Sequence, residues 1–144
     1  MMSEQDLVKA ARANIEAANA RDWGKFKETL AGDVVYDEVG TGRKTKGADA
    51  WVEAYKGWIE AFPDVVGKVS AVHAAGNTAT VELTWEGTQT GPLVSPAGTI
   101  PASGKRQTTR ASIVMTFDGE AIKEAHHYFD MVSLLTQIGA MPGA

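Results

Sequence analysis

The chain of 144 residues contains no cysteine. Disulfide bonds, thiolate nucleophiles and cysteine-ligated metal sites are therefore excluded. It also lacks an apolar run of the length that a membrane span needs, so no membrane-spanning helix is predicted. The first residues are acidic and polar, without the apolar stretch of a secretory signal. This favours a cytoplasmic protein.

Basic residues are not concentrated on any part of the chain. Lys and Arg total 14 against 18 Asp and Glu, and the formal net charge is −4. The densest basic stretch, residues 43–46, is predicted to be a solvated loop. Without a basic stripe, a nucleic-acid partner is not predicted. The HExxH, GxSxG and GxGxxG motifs are absent and the three histidines do not have metal-site spacing, so no metal or cofactor is predicted.

The first half of the chain has a helical pattern of apolar residues. A helix is predicted over residues 3–20, opened by a capping box, and a shorter one over residues 22–32. Residues 34–36 are predicted to form a short strand. A third helix is predicted over residues 47–62, because its apolar positions repeat at helical spacing and Pro63 prevents its continuation.

After Pro63 the apolar pattern alternates with the period of a strand. Strands are predicted over residues 65–74, 78–88, 107–117 and 121–130, with a loop over residues 91–104 and a final short helix over residues 132–138. Helices followed by hairpin-linked strands predict a single α+β domain over residues 1–144. Its helices would lie over a curved antiparallel sheet and enclose one apolar pocket.

Large aromatic residues of the third helix and the second long strand are predicted to form the pocket wall. They are Trp51, Tyr55, Trp58, Phe62 and Trp85. So many aromatics in a small domain favour a ligand cavity, although plain core packing is the alternative for most of them. The hydroxyl of Tyr36 is predicted to reach the pocket. Asn14, near the apolar stripe of the first helix, is a weaker candidate.

His127 is a single titratable residue on the otherwise apolar face of the last strand. A histidine in such a place can carry a pKa near working pH and move protons. The alternative is a core histidine that only hydrogen-bonds a neighbour, which the strand pattern alone favours. Asp130 is predicted to cap the last helix, with a pocket carboxylate as the alternative. His126 and Glu124 share the opposite, solvated or interfacial face.

Short motifs spread over nearly the whole chain resemble those of the SnoaL-like polyketide cyclases and their ester-cyclase relatives. The motifs are Ala61-Phe62-Pro63-Asp64, Gly87-Thr88-Gln89-Thr90-Gly91, Gly104-Lys105, Asp118-Gly119 with Ile122 and Glu124, and Asp130 with Gln137-Ile138-Gly139. Each is weak alone, and their order and spacing carry the resemblance. It implies the cone-shaped fold of nuclear transport factor 2 and ketosteroid isomerase, with a curved sheet wrapped around N-terminal helices. It also implies a homodimer.

The resemblance further implies a reaction. The cyclases of this family close a ring by an intramolecular aldol reaction without metal or cofactor, using a pocket Asp as general acid/base. The alignment places that Asp at His127 and a second family carboxylate at Asp130. It places a histidine of some cyclases on or near Ser112, and a histidine of many relatives at Gln89. The resemblance therefore implies the fold of the cyclases for this chain, whereas the catalytic residues of the cyclases are replaced by other residues in this sequence.

Two classes of function remain open from the sequence. The leading hypothesis is a cofactor-independent cyclase- or isomerase-type enzyme for a small apolar carbonyl or polyketide-like substrate. His127 would be its acid/base, with Tyr36, Gln89, Ser112 and Asn14 as polar contacts. The alternative is a non-catalytic binding protein for an apolar small molecule in the same pocket. Epoxide opening is disfavoured, because no carboxylate is predicted on a clearly inward strand face.

Overall fold

Helices and strands follow one another largely in the predicted order in the computed structural model, which describes residues 2–95 and 98–141. Their bounds are α1 (Glu4–Asn19), α2 (Trp23–Glu28), β1 (Leu30–Glu38), β2 (Arg43–Lys46), α3 (Ala48–Ala61), β3 (Val66–Ala75), β4 (Thr78–Thr88), β5 (Leu93–Ser95), β6 (Gly98–Ile100), β7 (Arg106–Asp118), β8 (Ala121–Phe129) and α4 (Met131–Gln137). None of these helices is long and apolar enough to cross a membrane.

Six of the strands form one curved sheet in the order β2–β1–β8–β7–β4–β3. The predicted α+β fold, with N-terminal helices on a curved sheet, is confirmed. The sheet is mixed instead of wholly antiparallel, because β1 runs parallel to β8 while the other neighbours are antiparallel. Strand β8, late in the chain, thus lies between β1 and β7.

Local signals explain where the helices begin. The predicted capping box of α1 is present, since the Ser3 hydroxyl and the Asp6 carboxylate each accept from the other's backbone N–H. Asp22 caps α2 by accepting from the backbone N–H of Lys25, without a reciprocal bond. Gly47 precedes α3 with φ of 102°, a conformation that glycine adopts without steric cost. Asp130 accepts from the backbone N–H of α4, as predicted for a cap.

Three sequence predictions about local structure are wrong. The basic stretch of residues 43–46 is an edge strand and not a loop, and its charged side chains suit an unpaired edge. Helix α2 ends at Glu28, and Gly32 lies within β1, because pairing with β8 extends that strand back to Leu30. The predicted loop over residues 91–104 contains the paired strands β5 and β6, and residues 96–97 lie outside the described residues.

The core lies between the helices and the inner face of the sheet. The predicted inward residues of the long strands are buried: Val81, Leu83, Ile113, Met115, Phe117 and Ala125. The predicted stripe of α1 packs against them: Leu7, Ala11, Ile15 and Ala18. A second, smaller apolar cluster joins α3, β5 and α4 at one end of the sheet. These two clusters border the cavity described next.

Candidate functional site

A partly open cavity lies between α3, the end of α1 and the inner face of β4, β7 and β8. Its walls are largely aromatic: Trp23, Tyr55, Trp58, Phe62, Trp85 and Phe129. Among the described residues its non-aromatic polar lining is Arg21, Gln107, Thr109 and His127. The cavity has a volume of about 60 Å³ and opens to solvent. A cavity this narrow and aromatic suits a flat, largely apolar ligand.

The ring of His127 has a hydrogen-bond partner at each nitrogen. The side chain is 4% exposed and lies on the inner face of β8. The indole N–H of Trp85 lies 3.0 Å from Nε2 and can only donate, so Nε2 accepts. The hydroxyl of Tyr36 lies 2.8 Å from Nδ1. Because a neutral imidazole has one donor and one acceptor nitrogen, this network assigns the proton to Nδ1, which donates to Tyr36.

Glu38 is the buried carboxylate at the far end of this network. Its Oε2 accepts from the Tyr36 hydroxyl over 2.7 Å and from Trp58 Nε1 over 3.0 Å. Its Oε1 accepts from the Thr41 hydroxyl over 2.7 Å and from the Arg43 guanidinium over 2.9 Å. Four donors suit an ionised carboxylate, which can only accept. A continuous hydrogen-bonded chain thus runs from the cavity wall to a partly exposed guanidinium.

Burial controls the protonation of this chain. It lowers the pKa of His127 to about 4, although the charge of Glu38 acts in the opposite direction. The Trp85 donor also disfavours the charged ring, because a proton on Nε2 would face the indole N–H. Burial raises the pKa of Tyr36 well above its ordinary value, and Tyr55 and Glu38 add to that rise. At neutral pH the site therefore contains a neutral imidazole beside a neutral phenol.

Most of the aromatic residues singled out in the sequence meet at this cavity. Six predicted site residues line it or contact His127 directly: Tyr36, Tyr55, Trp58, Phe62, Trp85 and His127. Trp51 does not line it and instead stacks on Tyr36, with ring centroids 4.7 Å apart and planes inclined by 6°. Trp51 is therefore a core residue that holds the Tyr36 ring in place.

Three predicted ligand contacts lie away from the cavity. Gln89 is buried, but its amide binds backbone groups of residues 100–103 and so holds the segment between β6 and β7. Ser112 lies on the outer face of the sheet, because the inward residues of β7 are odd-numbered. Asn14 is buried between helix and sheet, where its amide donates to the hydroxyl of Thr29.

The two secondary candidates also lie outside the cavity. Asp130 accepts from the backbone N–H of Ser133 at the start of α4. His126 lies on the outer face with its ring nitrogens 3.0 Å from an Asp37 oxygen and 2.8 Å from a Glu124 oxygen. Across residues 2–95 and 98–141, no group of three or more His, Asp or Glu side chains is placed to hold a metal ion.

Several polar residues of the site were missed in the sequence: Arg21, Glu38, Gln107 and Thr109. The prediction of no inward carboxylate is wrong, because Glu38 is fully buried and bonded into the site. The alternation of inward and outward side chains along the strand could have revealed Glu38, since Val34, Tyr36 and Glu38 share one face of β1. The strand was predicted to end at Tyr36, which left Glu38 in a loop. Gln107 lies on the odd-numbered inner face of β7 together with Ile113.

A curved sheet closed by helices around one cavity is the architecture of the ketosteroid isomerase-like folds, and solved structures bear this out. A protein of Jannaschia sp. described as a SnoaL-like polyketide cyclase superposes with a TM-score of 0.86, at 20% identity over 99% of each chain. A protein of ketosteroid isomerase-like fold from Catenulispora acidiphila, in complex with trimethylamine, gives 0.77 at 17% identity over 92% of this chain and 93% of that one. An LEH-like epoxide hydrolase of M. tuberculosis gives 0.70 at 18% identity over 94% and 90%. At these identities the likeness concerns the fold alone.

The chain belongs to the SnoaL-like polyketide cyclase family, whose family model matches residues 8–138. The resemblance drawn from the sequence motifs is therefore confirmed. A comparison with curated proteins gives no match. What the chain does within the family has to be inferred from the residues of its own cavity.

Proposed function

We propose that this protein is a cofactor-independent acid/base enzyme that moves a proton on a small, largely apolar carbonyl compound, with His127 as the proton-transfer group. One observation carries the proposal. The unprotonated Nε2 of His127 lies at the wall of an aromatic cavity, while Nδ1 is tied through Tyr36 to the buried carboxylate of Glu38. A general base whose ring is oriented by further groups is a recurring catalytic arrangement.

The low pKa of His127 fits this role. The family resemblance places the catalytic Asp of the cyclases at this position, and the ordinary pKa of Asp is about 3.9. Burial lowers the pKa of His127 to about 4, so the imidazole has nearly the basicity of the carboxylate that it replaces. A carboxylate base of pKa about 4.6 serves in ketosteroid isomerase. A base of this strength therefore suffices to remove a proton next to a carbonyl group.

Proton transfer to Nε2 would rearrange the hydrogen bonds of the site. A protonated Nε2 no longer accepts from Trp85, whose N–H then becomes available to the developing enolate oxygen. On the other side of the ring, Nδ1–H keeps its bond to Tyr36, and Glu38 stabilises the positive charge. One proton movement thus both charges the imidazole and releases a donor for the substrate.

Hydrogen exchange tests this proposal without knowledge of the natural substrate. Aryl methyl ketones are incubated with the protein in deuterated water, and NMR follows the loss of hydrogen next to the carbonyl. We expect His127→Gln to lower the catalysed rate at least about 100-fold. His73→Gln, an exposed change on the outer face, should retain the wild-type rate. Equal rates in wild type and His127→Gln would show that His127 is not the base.

A non-catalytic binding protein is the second candidate, and one observation favours it. The lone pair of Nε2 already accepts from Trp85, so a ligand must displace the indole before His127 can act as a base. Native mass spectrometry of the purified protein distinguishes the two functions. A bound apolar compound that is released unchanged, together with no hydrogen exchange in the ketone assay, would support binding alone.

Homodimerisation is a separate proposal, based on the family and on the outer face of the sheet. That face has an open groove bordered by Arg110, Ser112 and Tyr128, and Tyr128 is 47% exposed. Light scattering at micromolar concentration should give the mass of two chains, and Tyr128→Glu should shift it towards that of one. A monomer mass for the wild type would contradict the proposal. The cytoplasmic location stays a prediction.

A further inference from the structure

A second polar position lies in the same cavity, well away from His127. Gln107 lines the cavity from β7 and is only 2% exposed. On the sheet, His127 is paired with Ile113, six positions along β7 from Gln107. At a strand rise of about 3.3 Å per residue, six positions span about 20 Å. The curvature of the sheet shortens this span, since Trp85 is paired with Thr109 and still reaches His127, but Gln107 and His127 lie on opposite sides of that pair along the strands.

The orientation of the Gln107 amide follows from its neighbour. The hydroxyl of Thr109 lies 2.6 Å from Oε1 of Gln107. This distance is typical of an O–H···O bond and short for an N–H···O bond, so the amide oxygen faces Thr109. The NH₂ group then points away from Thr109, and it donates to none of the described residues. An amide donor that lines an aromatic cavity and has no protein partner is available to an acceptor atom of a ligand in that cavity.

Arg21, Thr109 and His127 are bonded within the protein, whereas the Tyr55 hydroxyl of the lining has no hydrogen-bond partner in the part of the chain that the structure describes. The Arg21 guanidinium donates to the backbone carbonyls of residues 18, 63 and 65. The Thr109 hydroxyl is used on Gln107, and both nitrogens of His127 are paired. Three N–H groups of the Arg21 guanidinium are used on those backbone carbonyls, and no Asp, Glu or Lys is found among the described lining residues. Burial of a carboxylate beside the Gln107 amide would cost more than burial of a neutral oxygen.

We propose that the Gln107 amide anchors a neutral acceptor oxygen of the ligand, a ketone or ester carbonyl, at the end of the cavity remote from His127. The inference rests on the proposed function and narrows its substrate class. The substrate would be a flat aromatic or polycyclic compound with two carbonyl groups, one next to the carbon that reacts at His127 and a second at the opposite end. Thr109 acts as a positioning residue, because its hydroxyl fixes the side of the amide that faces the ligand.

Three probes of the same shape test the anchor. They are methyl naphthyl ketone, the matching isopropenylnaphthalene, in which CH₂ replaces the oxygen, and the matching naphthoate. Calorimetry gives the dissociation constant of each with wild type, Gln107→Met and Thr109→Val. We expect wild type to bind the ketone about tenfold more tightly than the alkene and to bind naphthoate more weakly than either. Gln107→Met should bind ketone and alkene equally, and Thr109→Val should lose part of the preference.

Each outcome decides one of the two proposals. If Gln107→Met binds the alkene as tightly as wild type does, the variant is folded and its cavity is intact. If that variant still binds the ketone more tightly than the alkene, the anchor is overturned. Failure of wild type to bind either neutral probe, or tighter binding of naphthoate, would overturn it as well. A preference that disappears in Gln107→Met, together with no hydrogen exchange in a diacetylnaphthalene whose second acetyl group can reach His127, would keep the anchor and refute the acid/base enzyme. Hydrogen exchange that depends on His127, together with a ketone preference that persists in Gln107→Met, would keep the acid/base enzyme and refute the anchor.

Discussion

The buried imidazole of His127 should make the folded protein sensitive to mild acid. In the unfolded chain the ring has the ordinary histidine pKa of about 6.5, whereas in the folded protein its pKa is about 4. Between these values the unfolded chain binds a proton that the folded chain does not. Stability is therefore fully present above about pH 6.5 and is lost as the pH falls towards about pH 4.

The size of this loss follows from the difference between the two pKa values. A difference of about 2.5 units corresponds to roughly 3 kcal/mol over the whole range, at 1.36 kcal/mol per unit. Between about pH 7.5 and about pH 5, His127 alone should remove about 2 kcal/mol from the free energy of unfolding. His127→Gln abolishes this contribution, because a carboxamide does not titrate and still offers Trp85 an acceptor.

Urea unfolding at these two pH values measures the effect in wild type, His127→Gln and the control His73→Gln. Wild type and control should lose about 2 kcal/mol more than His127→Gln when the pH is lowered. An NMR titration of the histidine rings provides a direct check. Equal losses in wild type and His127→Gln, or a His127 ring that titrates near pH 6.5, would refute the assignment of a neutral buried imidazole.

Three further changes test other parts of the site and its scaffold. Trp85→Phe should raise the pKa of His127 above about 4 in the same NMR titration, because it removes the donor that opposes protonation of Nε2. Glu38→Gln should lower the free energy of unfolding by roughly 1–3 kcal/mol in urea, because a neutral amide replaces a buried carboxylate that accepts four hydrogen bonds. Gly91→Ala should destabilise strongly, since a Cβ there collides with a backbone carbonyl, whereas exposed Gly57→Ala in α3 should stabilise by about 0.5–1 kcal/mol. An unchanged His127 pKa in Trp85→Phe would contradict the argument about the Trp85 donor. A stability change of the opposite sign in one of the other three variants would contradict the argument for that variant.

Features that depend on short stretches of sequence could be predicted. Helical spacing and Pro63 marked α3 closely, and its Tyr55 and Trp58 do line the cavity. Alternation along β8 placed His127 on the inner face without any other information. These predictions succeed because the burial of one face determines which side chains point inward, whatever the partner strand is.

Features that depend on distant pairing could not be predicted in the same way. Strand β1 is extended by its parallel partner β8, and Glu38 becomes a buried residue only because of that extension. Gln89 has the polarity of a ligand contact, but a neighbouring loop uses its amide groups. Ser112 was placed by alignment to relatives, although the alternation of β7 itself puts it outside. Contacts outside the local stretch thus decided the roles of Glu38 and Gln89, whereas the local alternation of β7 decided that of Ser112.

The insertion of β8 between β1 and β7 has a consequence for the folding of the chain. Tyr36 and His127 are 91 residues apart in sequence, and they meet only when the last strand enters the sheet. Closing so long a loop is entropically costly, and contacts of this kind form late and slow folding. During synthesis the imidazole, phenol and carboxylate would all remain hydrated until the C-terminal strand has emerged. Occupancy of the cavity by a ligand would therefore report that the chain has been completed and fully folded.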